Sequence, residues 1–122
     1  MDLEISNDSS DCQQELIDLY NRNFILKHTK DTWEWRYKKL LRNSKSMFFI
    51  GLIDKIPISS LHLTVNKIAS DDERMIGWID DVSTDKIFRK RGYAESLLKS
   101  VIQYCNKEEI DAIILFVEPK KL

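Results

Sequence analysis

An α+β fold with a mixed, mainly antiparallel sheet is predicted from three observations. Apolar patterning runs strand, helix, helix, three strands, helix, strand along the chain (β-α-α-β-β-β-α-β). Within Pro57 to Ile68, Leu61, Leu63 and Val65 alternate with Ser60, His62, Thr64 and Asn66. That two-residue period is the mark of an antiparallel hairpin strand with one buried and one wet face. From Met75 to Val117 a strand, a basic turn, an amphipathic helix and a short apolar run succeed one another. This is the order of a strand, a crossover helix and a parallel strand.

Each element has its own signal. Asp2 to Ser6 reads as a first strand, and Asp11 with Gln14 three positions on suits a helix start. Leu16, Leu19, Tyr20 and Phe24 line that helix, which frays near Asn23. A second helix opens at Asp31 to Tyr37, where Trp33, Tyr37, Leu40 and Leu41 share a face. Met47 to Ile53 and Pro57 to Ile68 are strands joined by a turn at Asp54-Lys55, and Asp71 to Arg74 is a charged turn into the strand Met75 to Thr84. Ala94, Leu97, Leu98, Val101, Ile102 and Cys105 mark one face of a third helix. Ala112 to Val117, ended by Pro119, reads as a buried strand.

Composition bounds the rest. A chain of 122 residues makes one domain, 1–122, with room for a real core. With 43% hydrophobic and 32% charged residues it is ordinary globular material. Its 19 basic and 20 acidic residues give a net charge of −1, so no broad positive field favours nucleic acid. No apolar stretch approaches a membrane span, and Met1 to Ile5 has no signal-peptide character. Two cysteines without CxxC spacing suit reduced thiols in the cytoplasm, and Cys105 falls on the apolar helix face. His28 and His62 lie far apart without clustered partners, so no metal is expected.

The segment with chemical content is Val82 to Ala94. Arg89, Gly92 and Ala94 form Arg-x-x-Gly-x-Ala where strand pattern changes to helix pattern. A helix start presents unpaired N–H groups and partial positive charge. Gly92 and Ala94 let an anion come close to them, and Lys86, Arg89, Lys90 and Arg91 add charge. The bare motif arises by chance in roughly one chain in twenty of this length. The flanking strand and helix are what single it out.

In this register Val82 to Val117 resembles the central motif of the GNAT superfamily, the acyl-CoA-dependent N-acyltransferases. The resemblance implies a GNAT-like sheet flanked by helices and acetyl-CoA as cosubstrate. It implies that the pyrophosphate is held by the loop amides of Arg89, Lys90, Arg91, Gly92, Tyr93 and Ala94, and that the backbone of Val82, Ser83 and Thr84 pairs with the pantetheine arm. It also makes Trp33, Trp35 and Tyr37, on the early helix, candidates to meet a small-molecule or peptide amine acceptor. The implied activity is transfer of an acetyl or short acyl group to a primary amine. The competing reading is a non-catalytic CoA-binding or protein-interaction module.

Such a transfer needs a proton acceptor for the amine and donors for the oxyanion. Asp80 and Asp81 are the base candidates, and alternation along a strand sends only one of the two into the cleft. The other reading makes both of them hydrogen-bonded polar residues beside a strand irregularity. The resemblance supplies a strand N–H near Val82 for the oxyanion. Family members usually continue past the fifth strand into another helix and two strands, whereas Lys120 to Leu122 end this chain. The domain is therefore expected to be C-terminally short: a fragment of a longer acyltransferase, a degenerate member that binds CoA without turnover, or a natural truncation whose Ala112–Val117 edge is covered by a second copy or a partner.

Overall fold

The computed structural model describes residues 2–39, 45–68 and 71–115, with the backbone alone for Lys39 and residues 71–73. Five strands form one sheet in the order β1-β2-β3-β4-β5: β1 Glu4–Ser6, β2 Lys45–Ile53, β3 Ile56–Ile68, β4 Asp71–Thr84 and β5 Ala112–Leu115. The first three pairings are antiparallel, and β5 runs parallel to β4 along Ile76–Ile79. Helices α1 Gln13–Asn23 and α2 Lys30–Glu34, the latter running on as a π-helical turn Trp35–Lys39, precede β2. Helix α3, Tyr93–Lys107, links β4 to β5. This is the α+β order expected.

The helices cover opposite faces of the sheet. Leu16, Ile17, Leu19 and Tyr20 of α1 pack with Trp33, Tyr37, Phe48 and Ile50 in one cluster. Leu97, Val101 and Cys105 of α3, four residues apart and so on one stripe, pack on Phe49, Leu61, Leu63 and Ile79 in the other. Alternation in β2 sends Phe48, Ile50 and Leu52 to the first cluster and Phe49 to the second, while Leu61, Leu63 and Val65 of β3 all join the second.

That division corrects the wet face expected of β3. Ser60, His62 and Thr64 are 4%, 2% and 8% exposed, because α1 and α2 lie over the side they occupy. Polar residues there survive burial by pairing: Ser60 Oγ lies 3.4 Å from Ser83 Oγ, and His62 Nδ1 lies 3.2 Å from Asp80 Oδ1.

Local signals account for most boundaries and for three shifts. Asp54 and Lys55 take φ of 51° and 65°, the two left-handed residues of a tight hairpin turn between Ile53 and Ile56. Helix α1 is capped by Cys12 without a side-chain bond, so Asp11 lies just outside it; Asp8 Oδ1 instead accepts from Ser10 N at 2.9 Å. Helix α2 starts two residues before Thr32, on a reciprocal Thr29–Thr32 capping box. Asp71 already pairs with Ile68, so the expected charged turn belongs to β4. On β5, Ile113, Ile114 and Leu115 are 37%, 37% and 43% exposed, where the apolar run alone predicts burial. The expectations for Leu40, Leu41, Phe116 and Val117 lie outside the described residues.

Candidate active site

β4 carries the site at its C-terminal half. On β3, Ser60 and His62 face Ser83 and Asp80 of β4, so two steps on one strand meet three on the other. The extra residue forms a bulge, and Asp81 sits in it with φ of 52°. An aspartate tolerates that left-handed conformation better than most residues.

The bulge overrides simple alternation, so both carboxylates meet side chains on the α1/α2 side of the sheet. Asp81 Oδ2 accepts from Arg36 Nη2 at 2.9 Å and from Tyr37 Oη at 2.5 Å, and its side chain is only 12% exposed. Asp80 Oδ1 lies 3.2 Å from Nδ1 of His62, its cross-strand neighbour, and the Asp80 side chain is 41% exposed. One carboxylate is thus enclosed by a cation and a phenol, while the other is open to solvent.

Aromatic rings tie this pair to the helices. Tyr37 and Phe48 each lie 4.8 Å from the His62 ring, and Trp33 stacks on Phe48 at 5.1 Å and 13°. Burial, then the Asp81 charge and hydrogen bond, push the Tyr37 hydroxyl far above the usual phenol range. Trp33, Tyr37, Phe48 and His62, with Asp8 and Lys38, line a cleft of about 250 Å³. Trp33 is 3% and Tyr37 7% exposed, so both serve the core as well as the cleft wall. Trp35, 57% exposed, does not line that cleft.

A second hollow, about 510 Å³, lies between the end of α1 and the end of β4, lined by Asn23, Phe24, Val82, Ser83, Thr84, Arg89 and Ala94. Its walls are tied together across the fold. Arg89 donates to the Thr84 carbonyl at 3.0 Å and to Asn23 Oδ1 at 2.6 Å, while Arg22 pairs with Asp85 at 3.0 Å. The guanidinium of Arg89 is therefore a clamp within the loop. Arg91 lies over the Phe88 ring at 5.6 Å.

Gly92 opens α3 with φ of 79° and no side-chain cap, and a Cβ built there meets nothing within 4 Å. Lys90 is also left-handed, at 64°. An uncapped helix start with open space before it suits a phosphate group. Among the described residues, β5 pairs with β4 only along Ile76–Ile79, so no strand lies beside Val82–Thr84 on that edge. Both features fit the phosphate end and the extended arm of an acyl-CoA.

Residues 13–121 match the acetyltransferase (GNAT) family. The chain belongs to that family. Among curated relatives, an uncharacterized N-acetyltransferase of Methanocaldococcus jannaschii is 24% identical over 118 residues, covering 93% of this chain and 52% of the relative. The chain thus spans about half the length of that protein. The fold is shared with a Trypanosoma brucei acetyltransferase at a TM-score of 0.83 and 16% identity, over 99% of this chain and 87% of the other. It is shared with Arabidopsis thaliana glucosamine-6-phosphate N-acetyltransferase at 0.79 and 15%, over 99% and 86%. It is also shared with AAC(6')-Iy, solved with the bisubstrate analogue CoA-S-monomethyl-acetylneamine, at 0.78 and 15%, over 98% and 82%.

Sequence reasoning missed His62, Arg36, Asn23 and Phe24 in this GNAT domain. His62 had a signal: with the hairpin register known, it stands opposite Asp80. Arg36, Asn23 and Phe24 reach the site only through the packing of α1 and α2 and had none. Burial raises both cysteine thiols above their ordinary range, which makes Cys12 and Cys105 poor nucleophiles. Among the described residues no helix is long and apolar enough to cross a membrane.

Proposed function

We propose that this GNAT domain transfers an acetyl or short acyl group from acyl-CoA to a primary amine. The observation that carries the reading is the 510 Å³ groove running along Val82–Thr84 and Ala94, beside an uncapped, left-handed Gly92. The N–H groups from Lys90 to Ala94 hold the pyrophosphate, that of Arg89 being turned to the Lys86 carbonyl at 3.4 Å, with Lys90 and Arg91 adding charge. The backbone of Val82, Ser83 and Thr84 receives the pantetheine arm, and an N–H near Val82 is aimed at the developing oxyanion.

The acceptor enters the cleft walled by Trp33 and Tyr37, where apolar rings and the carboxylate of Asp8 suit an amine carried on an organic body. Of the two aspartates, Asp80 serves proton removal, because Asp81 is committed to Arg36 and Tyr37. Asp81 holds the bulge in shape. Fixing thioester and amine side by side supplies much of the rate.

Calorimetric titration of acetyl-CoA into the purified chain tests the cofactor site, with Gly92→Glu as control, since an anionic side chain there repels the pyrophosphate. Saturable binding lost in the variant is expected. Thiol release with a panel of amines then tests transfer. Binding without turnover of any amine favours the non-catalytic module, and a folded wild type that binds no acetyl-CoA overturns the reading.

A further inference from the structure

His62 is a buried titratable group that proton removal by Asp80 alone leaves without a task. Its ring is 2% exposed and packed between Tyr37 and Phe48, and its Nδ1 lies 3.2 Å from Asp80 Oδ1. Charged and titratable groups face this neighbourhood from several elements. β4 brings Asp80, and the π-helical turn brings Tyr37, whose hydroxyl is turned to Asp81 and so to Arg36. β2 brings only the apolar ring of Phe48, while the cleft that His62 lines adds Asp8 and Lys38.

With Nδ1 committed to a carboxylate, the neutral imidazole carries its proton on Nδ1, and Nε2 keeps a lone pair. Among the described residues the hydrogen bond of the His62 ring is the one at Nδ1, and the residue lines the cleft. A neutral imidazole nitrogen is a stronger base than a carboxylate oxygen, which suits it to proton removal from an ammonium. A buried imidazole oriented by a carboxylate is the arrangement a general base requires.

We propose that His62 Nε2 is the atom that takes the proton from the acceptor amine, with Asp80 holding the ring in the Nδ1–H tautomer. This deepens, and rests on, the acetyl-transfer reading. In the step, the Nε2 lone pair forms a bond to hydrogen as an N–H bond of the ammonium breaks, leaving its electron pair on nitrogen. That pair attacks the thioester carbonyl, the C–S bond breaks with its electrons on sulfur, and the second proton leaves the acylated nitrogen and ends on that sulfur, giving the amide and the CoA thiol. Asp80 stabilises the imidazolium until its proton returns to solvent. No oxidant or other co-reactant is needed.

The test compares pH–rate profiles of the wild type, His62→Gln and Asp80→Asn with acetyl-CoA and an amine that the wild type acetylates. His62→Gln is expected to lower kcat about 10²-fold or more, with acetyl-CoA binding by calorimetry unchanged and the acid limb lost. With only two histidines in the chain, ¹⁵N spectra report the His62 ring directly. They are expected to show the Nδ1–H tautomer in the wild type and its loss in Asp80→Asn. A variant that fails to fold leaves the wild-type comparison decisive: the acid limb of kcat/KM must coincide with protonation of His62. A limb that does not follow His62, an Nε2–H tautomer in the wild type, or a folded His62→Gln with undiminished kcat overturns the proposal alone. A wild type that binds acetyl-CoA yet acetylates no amine overturns the transfer reading and this proposal with it.

Discussion

At the scale of single residues, two positions have consequences that measurement can read. Gly92 is left-handed at φ of 79°, with open space where a Cβ would stand. Gly92→Ala therefore meets no steric neighbour and suffers only the backbone cost, about 1 kcal/mol, read as a lower midpoint in chemical denaturation. Tyr37 gives a pH-dependent counterpart. Its hydroxyl is raised far above the phenol range by burial and by Asp81, so the folded state holds that proton more tightly than the unfolded chain. The stabilisation is complete below the unfolded value near ~10 and is lost progressively as pH rises above it. Unfolding curves at pH 9 to 11 are expected to show a steeper loss of stability in the wild type than in Tyr37→Phe. At neutral pH that variant is about 1–2 kcal/mol less stable, since Asp81 loses one donor and keeps Arg36.

At the scale of elements, the β4 bulge is the feature on which the site depends. It turns Asp80 and Asp81 toward the same layer of helices, and the Arg36–Asp81 bond crosses from the π-helical turn to the strand to hold it. Two ion pairs of equal look then separate by exposure. Arg36–Asp81 is 34% and 12% exposed, whereas Arg22–Asp85 is 49% and 23% exposed. Asp81→Ala is expected to cost about 2–4 kcal/mol, because it leaves Arg36 without its ion pair and Tyr37 without its acceptor and puts alanine at a positive φ. Arg22→Ala, by the same denaturation experiment, is expected to cost under about 1 kcal/mol. Little of the bulge was legible beforehand. Adjacent aspartates on a strand hint at an irregularity, but the extra residue shows only when β3 and β4 are set in register. The helix after the basic turn was largely legible, since its signals are local, a glycine at its start and an apolar stripe of period four, although Ile102, read onto that stripe, is 49% exposed.

At the scale of the whole molecule, the groove joins parts that fold into different clusters. Asn23 ends α1 and Phe24 caps it, on one face of the sheet, and Ala94 comes from α3, on the other. A ligand bound across them stabilises the native state by mass action. At 100 times the dissociation constant, acetyl-CoA is expected to add about 2.7 kcal/mol, a rise of several degrees in Tm. Gly92→Glu should abolish that rise, and a thermal melt with and without ligand reads both arms.

The sequence by itself determined the α+β order, the buried stripes of α1 and α3 and the basic turn with its strand and helix, because each of these is written in spacing over a few residues. Tertiary structure alone decided three things. The polar side of β3 is dry because α1 and α2 cover it, which no strand period reveals. Asp81 is enclosed and Asp80 open because Arg36 and Tyr37, more than 40 residues away in sequence, reach one and not the other. His62 meets Asp80 because β3 and β4 pair in one register out of several, and pairing between distant segments is fixed by the packing of the whole sheet.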